Sequence, residues 1–462
     1  MDLDGSLVAS DTLLESLLAL LRKDPWALLL VPIWLAQGKA RFKQRLSERV
    51  APAAVALPYL PELVEYLQNE KRAGRTLVLV TAANEKIANS VAEHLGIFDR
   101  VIASNATLNL RGDGKAAALV SQFGERGFDY VGDSRIDFPV WSSSRRALVV
   151  GSPTFASRVQ KLAPVEKLFA TPTPRVTDWA RALRIHQWVK NTLVFVPLLG
   201  AHRAGEIDLV VRNLIAFFAF GFCASGAYVI NDLIDLAADR AHARKRARLF
   251  ASGRLSITSG LALAPILLAV AFLLALTLPP AFAAILALYF AATTAYSLRI
   301  KQIAVLDVLL LAGLYTVRLL AGAAAVSVAA SFWLLAFSMF LFLSLALVKR
   351  VGELRDALSG ASVPGRGYTG EDLPVLMSLG TASGYAAVVV FAFYINSSTG
   401  EQLYRHPKAL WLLCPLLLFW ISRIWLFTHR GKMHDDPIVF AFQDPVSRWL
   451  VVPIAAIVWL AI

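Results

Sequence analysis

Asn231-Asp232-Leu233-Ile234-Asp235-Leu236-Ala237-Ala238-Asp239-Arg240 decides how this chain is read. It closes a long apolar stretch with three carboxylates, and the basic run His242-Ala243-Arg244-Lys245-Arg246-Ala247-Arg248 follows at once. On a continuous helix, at about 100° per residue, Asp232, Asp235 and Asp239 fall within about 60° of one another. Carboxylates that close repel unless a cation sits among them, and Mg²⁺ is held by one or two carboxylates plus substrate phosphate oxygens. Charge at a membrane boundary is costly and marks function by default. A solvated helix end is the plain alternative. The basic run favours the other reading, acid for a metal and base for phosphates, which is the composition of a diphosphate site.

The rest of the composition places this segment in a membrane. Of 462 residues 57% are hydrophobic, and the mean hydropathy of +0.57 is too high for a soluble globule. The length implies more than one domain. The formal charge of +13 suits anionic lipid and phosphate substrates. Nucleic acid is not expected as a partner, because the basic residues cluster at membrane boundaries. Cys223 and Cys414 both lie in apolar stretches, so no disulfide framework is implied. The acidic N-terminus lacks the charged region of a signal peptide.

Composition changes near Thr171-Pro172-Thr173-Pro174. The chain therefore divides into a soluble part over 1–165, a linker over 166–180 and a membrane part over 181–462. The membrane part is expected to be an all-α polytopic bundle of about nine spans, near 189–202, 208–230, 259–278, 280–297, 304–326, 330–348, 374–395, 409–427 and 446–462. Lys and Arg concentrate in the loops after the even-numbered spans. The positive-inside rule then puts the soluble part and all charged loops in the cytoplasm, as in a multi-pass protein of a cell inner membrane. On that side lie Lys190, Asn191, Tyr296, Lys301, Lys349, Arg350 and Glu353. Each lysine or arginine taken alone is as well read as a snorkelling residue. Asp307 and Arg318, inside the fifth span, must face the bundle interior and are candidates to pair with each other. Gly313, Gly322 and Ala323 on the same span permit close helix packing, including in a homo-oligomer.

Asn-Asp-x-x-Asp-x-x-x-Asp after the second span resembles the UbiA-type prenyltransferase superfamily. Gln187-Trp188-Val189-Lys190-Asn191, the run from Asp239 to Arg248, Tyr296-Ser297-Leu298 and Lys349-Arg350-x-x-Glu353-Leu354 resemble its decaprenyl-phosphate phosphoribosyltransferase subfamily. That resemblance implies transfer of phosphoribose from phosphoribosyl diphosphate to a polyprenyl phosphate, with release of diphosphate. It implies Mg²⁺ on Asn231, Asp232, Asp235 and Asp239, although oxygen ligands also suit Mn²⁺. Lys190, Asn191, Lys245, Arg246, Arg248, Tyr296, Lys301, Arg318 and Glu353 become substrate-binding candidates, and Lys349 and Arg350 candidates for the lipid phosphate. Aromatic prenyltransferases of the superfamily usually carry a second Asp-rich motif after the sixth span; here Lys349, Arg350, Glu353 and Asp356 stand there. The alternatives are an aromatic prenyltransferase using a prenyl diphosphate beside a degenerate or regulatory soluble domain, and a lipid carrier without catalysis.

The soluble part reads as an open α/β sheet: Thr76–Val80 as a buried strand ending at Thr81, and Phe128–Val131 as another, ending in Gly132-Asp133-Ser134-x-x-Asp137. With Asp2-Leu3-Asp4-Gly5-Ser6 and Lys115, it resembles the haloacid dehalogenase (HAD) phosphatases, which implies a Rossmannoid fold with a small helical cap over about 11–58. The resemblance makes Asp2 the nucleophile and Asp4 the general acid and base. Thr81 and Lys115 would hold phosphoryl oxygens, and Asp2, Asp4, Asp133 and Asp137 form the metal-binding acidic set. Met1 alone precedes Asp2, so the strand that normally anchors the nucleophile is expected to be missing. Within the cap, residues 26–35 are too apolar for an ordinary surface and too short to span. They read either as a buried cap helix or as a segment on the membrane surface with both Trp at headgroup level. The tether beside the bilayer favours the second.

The transferase product that the resemblance implies carries a phosphate on the ribose five-position. A phosphomonoester is what a HAD nucleophile attacks, so the soluble part is expected to remove that phosphate.

Overall fold

The computed structural model describes residues 1–242, 245–358, 367–433 and 436–462; Ala243, Arg244 and the side chain of Asp356, named in the sequence reading, lie outside the described set. The described chain forms two compact units, Met1–Leu183 with Tyr228–Pro265, and Arg184–Ala227 with Ile266–Ile462.

In the first unit, β1 (Val78–Asn84) pairs parallel with β2 (Arg100–Ser104), and β3 (Asp129–Gly132), β4 (Arg146–Gly151) and β5 (Val165–Ala170) pair parallel in that order. Helices Glu85–Leu95, Asp113–Phe123, Phe138–Ser142 and Pro153–Val159 make the crossovers between consecutive strands. Alternate strand residues enter two different cores, as the two-residue period requires. Leu79, Val131, Leu148 and Val150 join one, while Val80, Tyr130, Ala147 and Val149 join the other with Trp141. A sheet buried on both faces explains the near-continuous apolar strands.

Met1–Leu3 occupy the place where the anchoring strand was expected to be missing. The Met1 amine donates to Val78 O at 2.8 Å, Val80 N to Met1 O at 2.8 Å, and Asp2 N to Val131 O at 3.0 Å. Three residues thus stitch β1 to β3, and Leu3 is fully buried below them. Asp2 is held from both sides, where the sequence suggested poor anchoring.

The cap is Thr12–Lys23, Pro25–Leu30, Val31–Ala36 and Lys39–Arg49, packed on Leu20, Ala27, Trp34, Phe42 and Leu46. Asp11 starts it by accepting from Leu13 N and Leu14 N. The interval read as a linker is partly built: residues 166–170 belong to β5, with Phe169 in the core, and 176–180 lie in the helix Val176–Ala182.

Among the described residues seven helices are long and apolar enough to cross a membrane, or eight if the pair Pro437–Gln443 and Pro445–Ala461, bent by 80°, is one span. Nine was slightly too many. The stretch near 189–202 is a 3-10 segment, Ile185–Phe195, followed by the short helix Val196–Gly200. Gly322 explains part of its placement: a Cβ there would stand 1.9 Å from Val194 O. This close approach is within the chain, so Gly322 serves intramolecular packing, and nothing in the described residues shows an oligomer contact.

Candidate functional site

Three polar centres are described, two in the first unit and one in the second. The first lies at the carboxyl ends of β1, β3 and the Met1–Leu3 stub. Carboxylate oxygens of Asp2, Asp133 and Asp137 come within 4.8 Å of one another. Lys115, buried on the helix Asp113–Phe123, reaches Asp2 Oδ2 at 2.7 Å and Asp137 Oδ1 at 3.2 Å. The Tyr130 hydroxyl accepts from Lys115 at 3.0 Å and donates to Asp137 at 2.8 Å. Ser6 Oγ donates to Asp133 Oδ1 at 3.2 Å. Gly5 makes the loop possible, for its φ is +74° and a Cβ there would lie 2.2 Å from Asp133 Oδ2.

Burial and the neighbouring Asp2 and Asp137 push the Asp133 carboxyl up to about 8. Burial also raises Asp2, against the pull of Lys115. Burial opposes the charge on Lys115, but Asp2 and Asp137 hold it above the usual lysine range. Three convergent carboxylates, Asp137 buried and Asp2 and Asp133 half-buried, with one ammonium among them, fit a further divalent cation. Asp4 is not among these three carboxylates; its Oδ1 accepts from Thr12 N at 2.8 Å, and burial with Asp11 pushes it up to about 7. Thr81 is buried and accepts from Ala83 N at 3.0 Å. Lys43, from the cap, donates to Ala82 O at 2.5 Å and Asn109 Oδ1 at 2.9 Å. Sequence reasoning missed Lys43 and Tyr130, since one lysine in a basic cap helix and one tyrosine in a strand carry no signal by themselves.

The second centre is the acidic segment. The long helix Ile207–Ile234 ends just before Asp235, and a short helix, Leu236–Ala241, follows. Helical hydrogen bonding continues across this turn, with Asp235 N donating to Asn231 O at 2.9 Å and Asp239 N to Asp235 O at 2.8 Å. Asp232 and Asp239 are buried and share Arg248 Nη1, at 3.1 and 2.6 Å. Asp235 instead faces Arg22 of the cap helix, at 3.3 Å. Burial raises the Asp239 carboxyl, and Arg248 opposes this. Arg240 makes a buried bidentate pair with Glu15, at 2.7 and 2.8 Å, and donates to Ala251 O at 2.8 Å. Asn231 is half-buried at the end of the long helix, and Lys245 and Arg246 are exposed.

The third centre belongs to the second unit. Asp436, before Pro437, accepts from buried Lys190 at 2.6 Å and from Tyr315 at 3.0 and 3.2 Å, and lies 3.5 Å from Lys349. Burial works against its charge, yet Lys190 and Lys349 hold its carboxyl well below the usual range. Asp307 pairs with Arg350 at 2.5 Å and accepts from Tyr368 at 2.6 Å. Arg350 also meets Glu353, and the Tyr296 hydroxyl at 3.3 Å. Arg318 donates to Asn191 at 3.1 Å and Tyr289 at 3.0 Å. The expected Asp307–Arg318 pair is therefore not formed: eleven residues on one helix separate them by about 16 Å. Lys301 is half-buried beyond the helix Pro280–Leu298. Asp436 was not foreseen, because Asp before Pro reads as an ordinary helix cap.

Known proteins match both halves of this arrangement. The profile described as the UbiA prenyltransferase family covers residues 192–444. The chain belongs to the UbiA prenyltransferase family. The haloacid dehalogenase-like hydrolase profile covers residues 1–141, so this UbiA protein carries a HAD-like domain at its N-terminus and is an enzyme by family. Protein y4nM of Sinorhizobium fredii is 39% identical over 97% of this chain and 88% of its own length. Nodulation protein NoeC of Azorhizobium caulinodans is 36% identical over 61% of this chain and 92% of its own. Decaprenyl-phosphate phosphoribosyltransferase of Mycolicibacterium smegmatis is 29% identical over 60% of this chain and 90% of its own.

Proposed function

We propose that the membrane domain moves phosphoribose from phosphoribosyl diphosphate to a polyprenyl phosphate, releasing diphosphate, and that the HAD domain removes the ribose five-position phosphate from the product. The observation that carries the first step is the character of the second unit's polar centre. Among the described residues, Lys190, Lys349 and Arg350 gather there with Asp436, Asp307 and Glu353. The Lys349-Arg350 pair suits a lipid phosphate that brings no metal of its own, whereas a prenyl diphosphate donor would suit a second Asp-rich motif. The relatives named as decaprenyl-phosphate phosphoribosyltransferases support the same reading.

In this proposal Asn231, Asp232, Asp235 and Asp239 would hold Mg²⁺, with Mn²⁺ as a substitute, which would supply the charge that offsets the leaving diphosphate. Arg248, with Lys245 and Arg246, binds further phosphate oxygens. The ribosyl carbon becomes oxocarbenium-like as the diphosphate departs, and the lipid phosphate attacks as an anion without a general base. Lys190, Asn191, Tyr296, Lys301, Arg318, Lys349, Arg350 and Glu353 position the two phosphate-bearing substrates.

In the HAD domain, Asp2 attacks phosphorus and forms an aspartyl-phosphate, while Asp4 gives its proton to the departing ribose hydroxyl. Asp4 then takes a proton from the water that hydrolyses the aspartyl-phosphate. Lys115 and Thr81 steady the phosphoryl oxygens, and Asp133 and Asp137 complete a metal site with Asp2. The division of labour follows the chain, 1–165 for the hydrolase and 181–462 for the transferase, with both sites on the cytoplasmic side of an inner membrane. Asp2→Asn tests it: phosphoribosyl transfer should persist within about twofold while dephosphorylation stops. Loss of transfer in that variant would show that the division is wrong.

A further inference from the structure

The cap exposes a surface that neither chemistry uses. From Pro25 to Gly38 no residue is charged. Trp26 is 79% exposed, Leu29 70%, Ile33 54% and Leu35 46%, while their neighbour Trp34 is 5% exposed, beneath the guanidinium of Arg49. The ordinary buried cap helix is thus excluded, and of the two tryptophans only Trp26 faces outward. A contiguous apolar patch of this kind on one small subdomain needs an occupant. Lys39 and Arg41 follow it and are exposed, and Arg22 and Lys23 precede it.

The same unit says which occupant. It includes Tyr228–Pro265, and so the ends of two helices long and apolar enough to cross a membrane, Ile207–Ile234 and Ile257–Ala275. Arg22 is ion-paired to Asp235, one residue beyond the end of the first, and Pro25 starts the apolar segment three residues after Arg22. Leu18 of the cap shares a core with Leu233 and Leu236. The patch therefore leaves the protein within a few residues of where a transmembrane helix ends. At twelve residues, a 3-10 turn followed by an α-helix, Pro25–Ala36 is about 21 Å long and cannot span a core about 30 Å thick. An apolar face with an outward Trp and a basic margin matches a helix lying in the interfacial layer. The margin matches anionic headgroups.

We propose that Pro25–Ala36 anchors the HAD cap in the surface of an anionic bilayer, with Trp26, Leu29, Ile33 and Leu35 in the interfacial layer and Lys39 and Arg41 among the headgroups. The anchor holds the mouth of the hydrolase domain at the lipid surface. It does not depend on which reaction either domain catalyses.

The test uses the full chain with Cys223 and Cys414, both buried, replaced by Ala, and an environment-sensitive fluorophore on Leu29→Cys. A second preparation carries the label on Ser121→Cys, exposed on the helix Asp113–Phe123. Each is reconstituted in vesicles of roughly three parts phosphatidylcholine to one of phosphatidylglycerol. The label at 29 should be quenched at least about twofold by spin-labelled lipid and resist iodide, and the label at 121 should do the reverse. Quenching at 29 by iodide alone would overturn the proposal, since the patch would then be solvated. Resistance to both quenchers would also overturn it, with a second protein surface as the cover. In a Trp26→Ser, Ile33→Ser, Leu35→Ser background, all at exposed positions, lipid quenching should give way to iodide quenching. If it persists, the fluorophore and not the apolar face seeks the lipid, and the anchor is refuted.

Discussion

Gly5→Ala should silence the hydrolase while leaving the transferase alone. The added Cβ would stand 2.2 Å from Asp133 Oδ2 and 2.6 Å from its Cγ, where ordinary contact begins near 3.4 Å. The carboxylate must therefore retreat by about 1 Å or more, in an interior that is close-packed. Its neighbours on the other side, Asp2 and Asp137, are fixed by Lys115, so Asp133 leaves the cluster and does not shift with it. Misplacement of a catalytic group by about 1 Å costs about 100-fold, or about 2.7 kcal/mol in the barrier. The left-handed backbone at φ +74° adds about 1–2 kcal/mol of strain for alanine, a stability cost that a domain tolerates. The assay is hydrolysis of p-nitrophenyl phosphate by the full chain in detergent, beside phosphoribosyl transfer and a thermal melt. Gly74→Ala is the control, with φ +86° and nothing within 4 Å of its Cβ, so it brings the strain without the collision. Hydrolysis should fall about 100-fold in Gly5→Ala and stay within about twofold in Gly74→Ala. Equal activity in both variants would refute the claim that Asp133 works from the observed position.

Asp436→Asn should lower the melting temperature of the full chain clearly, because breaking a buried pair costs about 3–5 kcal/mol. Lys190→Met with Asp436→Leu should recover much of that loss, and failure to recover would show that the pair is not the source. Chelation by EDTA should abolish both activities and Mg²⁺ should restore both; an activity that survives chelation would remove metal from that half of the mechanism. Gly322→Ala should destabilise the protein by at least about 1 kcal/mol, because its methyl meets Val194 O. A melt unchanged from the native chain would argue against that helix contact.

Much of the architecture was legible because its signals are periodic or compositional. The strand expected over Thr76–Val80 is β1, shifted to Val78–Asn84, and that over Phe128–Val131 is β3, at Asp129–Gly132. Apolar length gave the membrane helices but overcounted them near 189–202, where Pro197 lies and the chain forms a 3-10 segment that hydropathy does not register. Met1–Leu3 was illegible for a different reason: three residues carry no strand pattern, and only their hydrogen bonds to Val78, Val80 and Val131 place them between β1 and β3. The acidic segment was read as one helix, and its spacing was correct for one. Local periodicity reports neither the turn at Asp235 nor the pairing of Asp235 with Arg22, over two hundred residues away in sequence. Pairing inside the membrane unit failed likewise. Asp307 and Arg318 look like partners because they are the charges of one span, yet Arg350 and Asn191 take them.

The most direct measurement is the mass of the lipid product. Purified full-length protein is given phosphoribosyl diphosphate, polyprenyl phosphate and Mg²⁺, and the lipid is analysed by mass spectrometry. The account predicts a lipid that has gained ribose without the extra phosphate, and, in Asp2→Asn, one that has gained phosphoribose. A polyprenyl phosphate recovered unchanged, with the enzyme instead consuming a prenyl diphosphate and an aromatic acceptor, would contradict it.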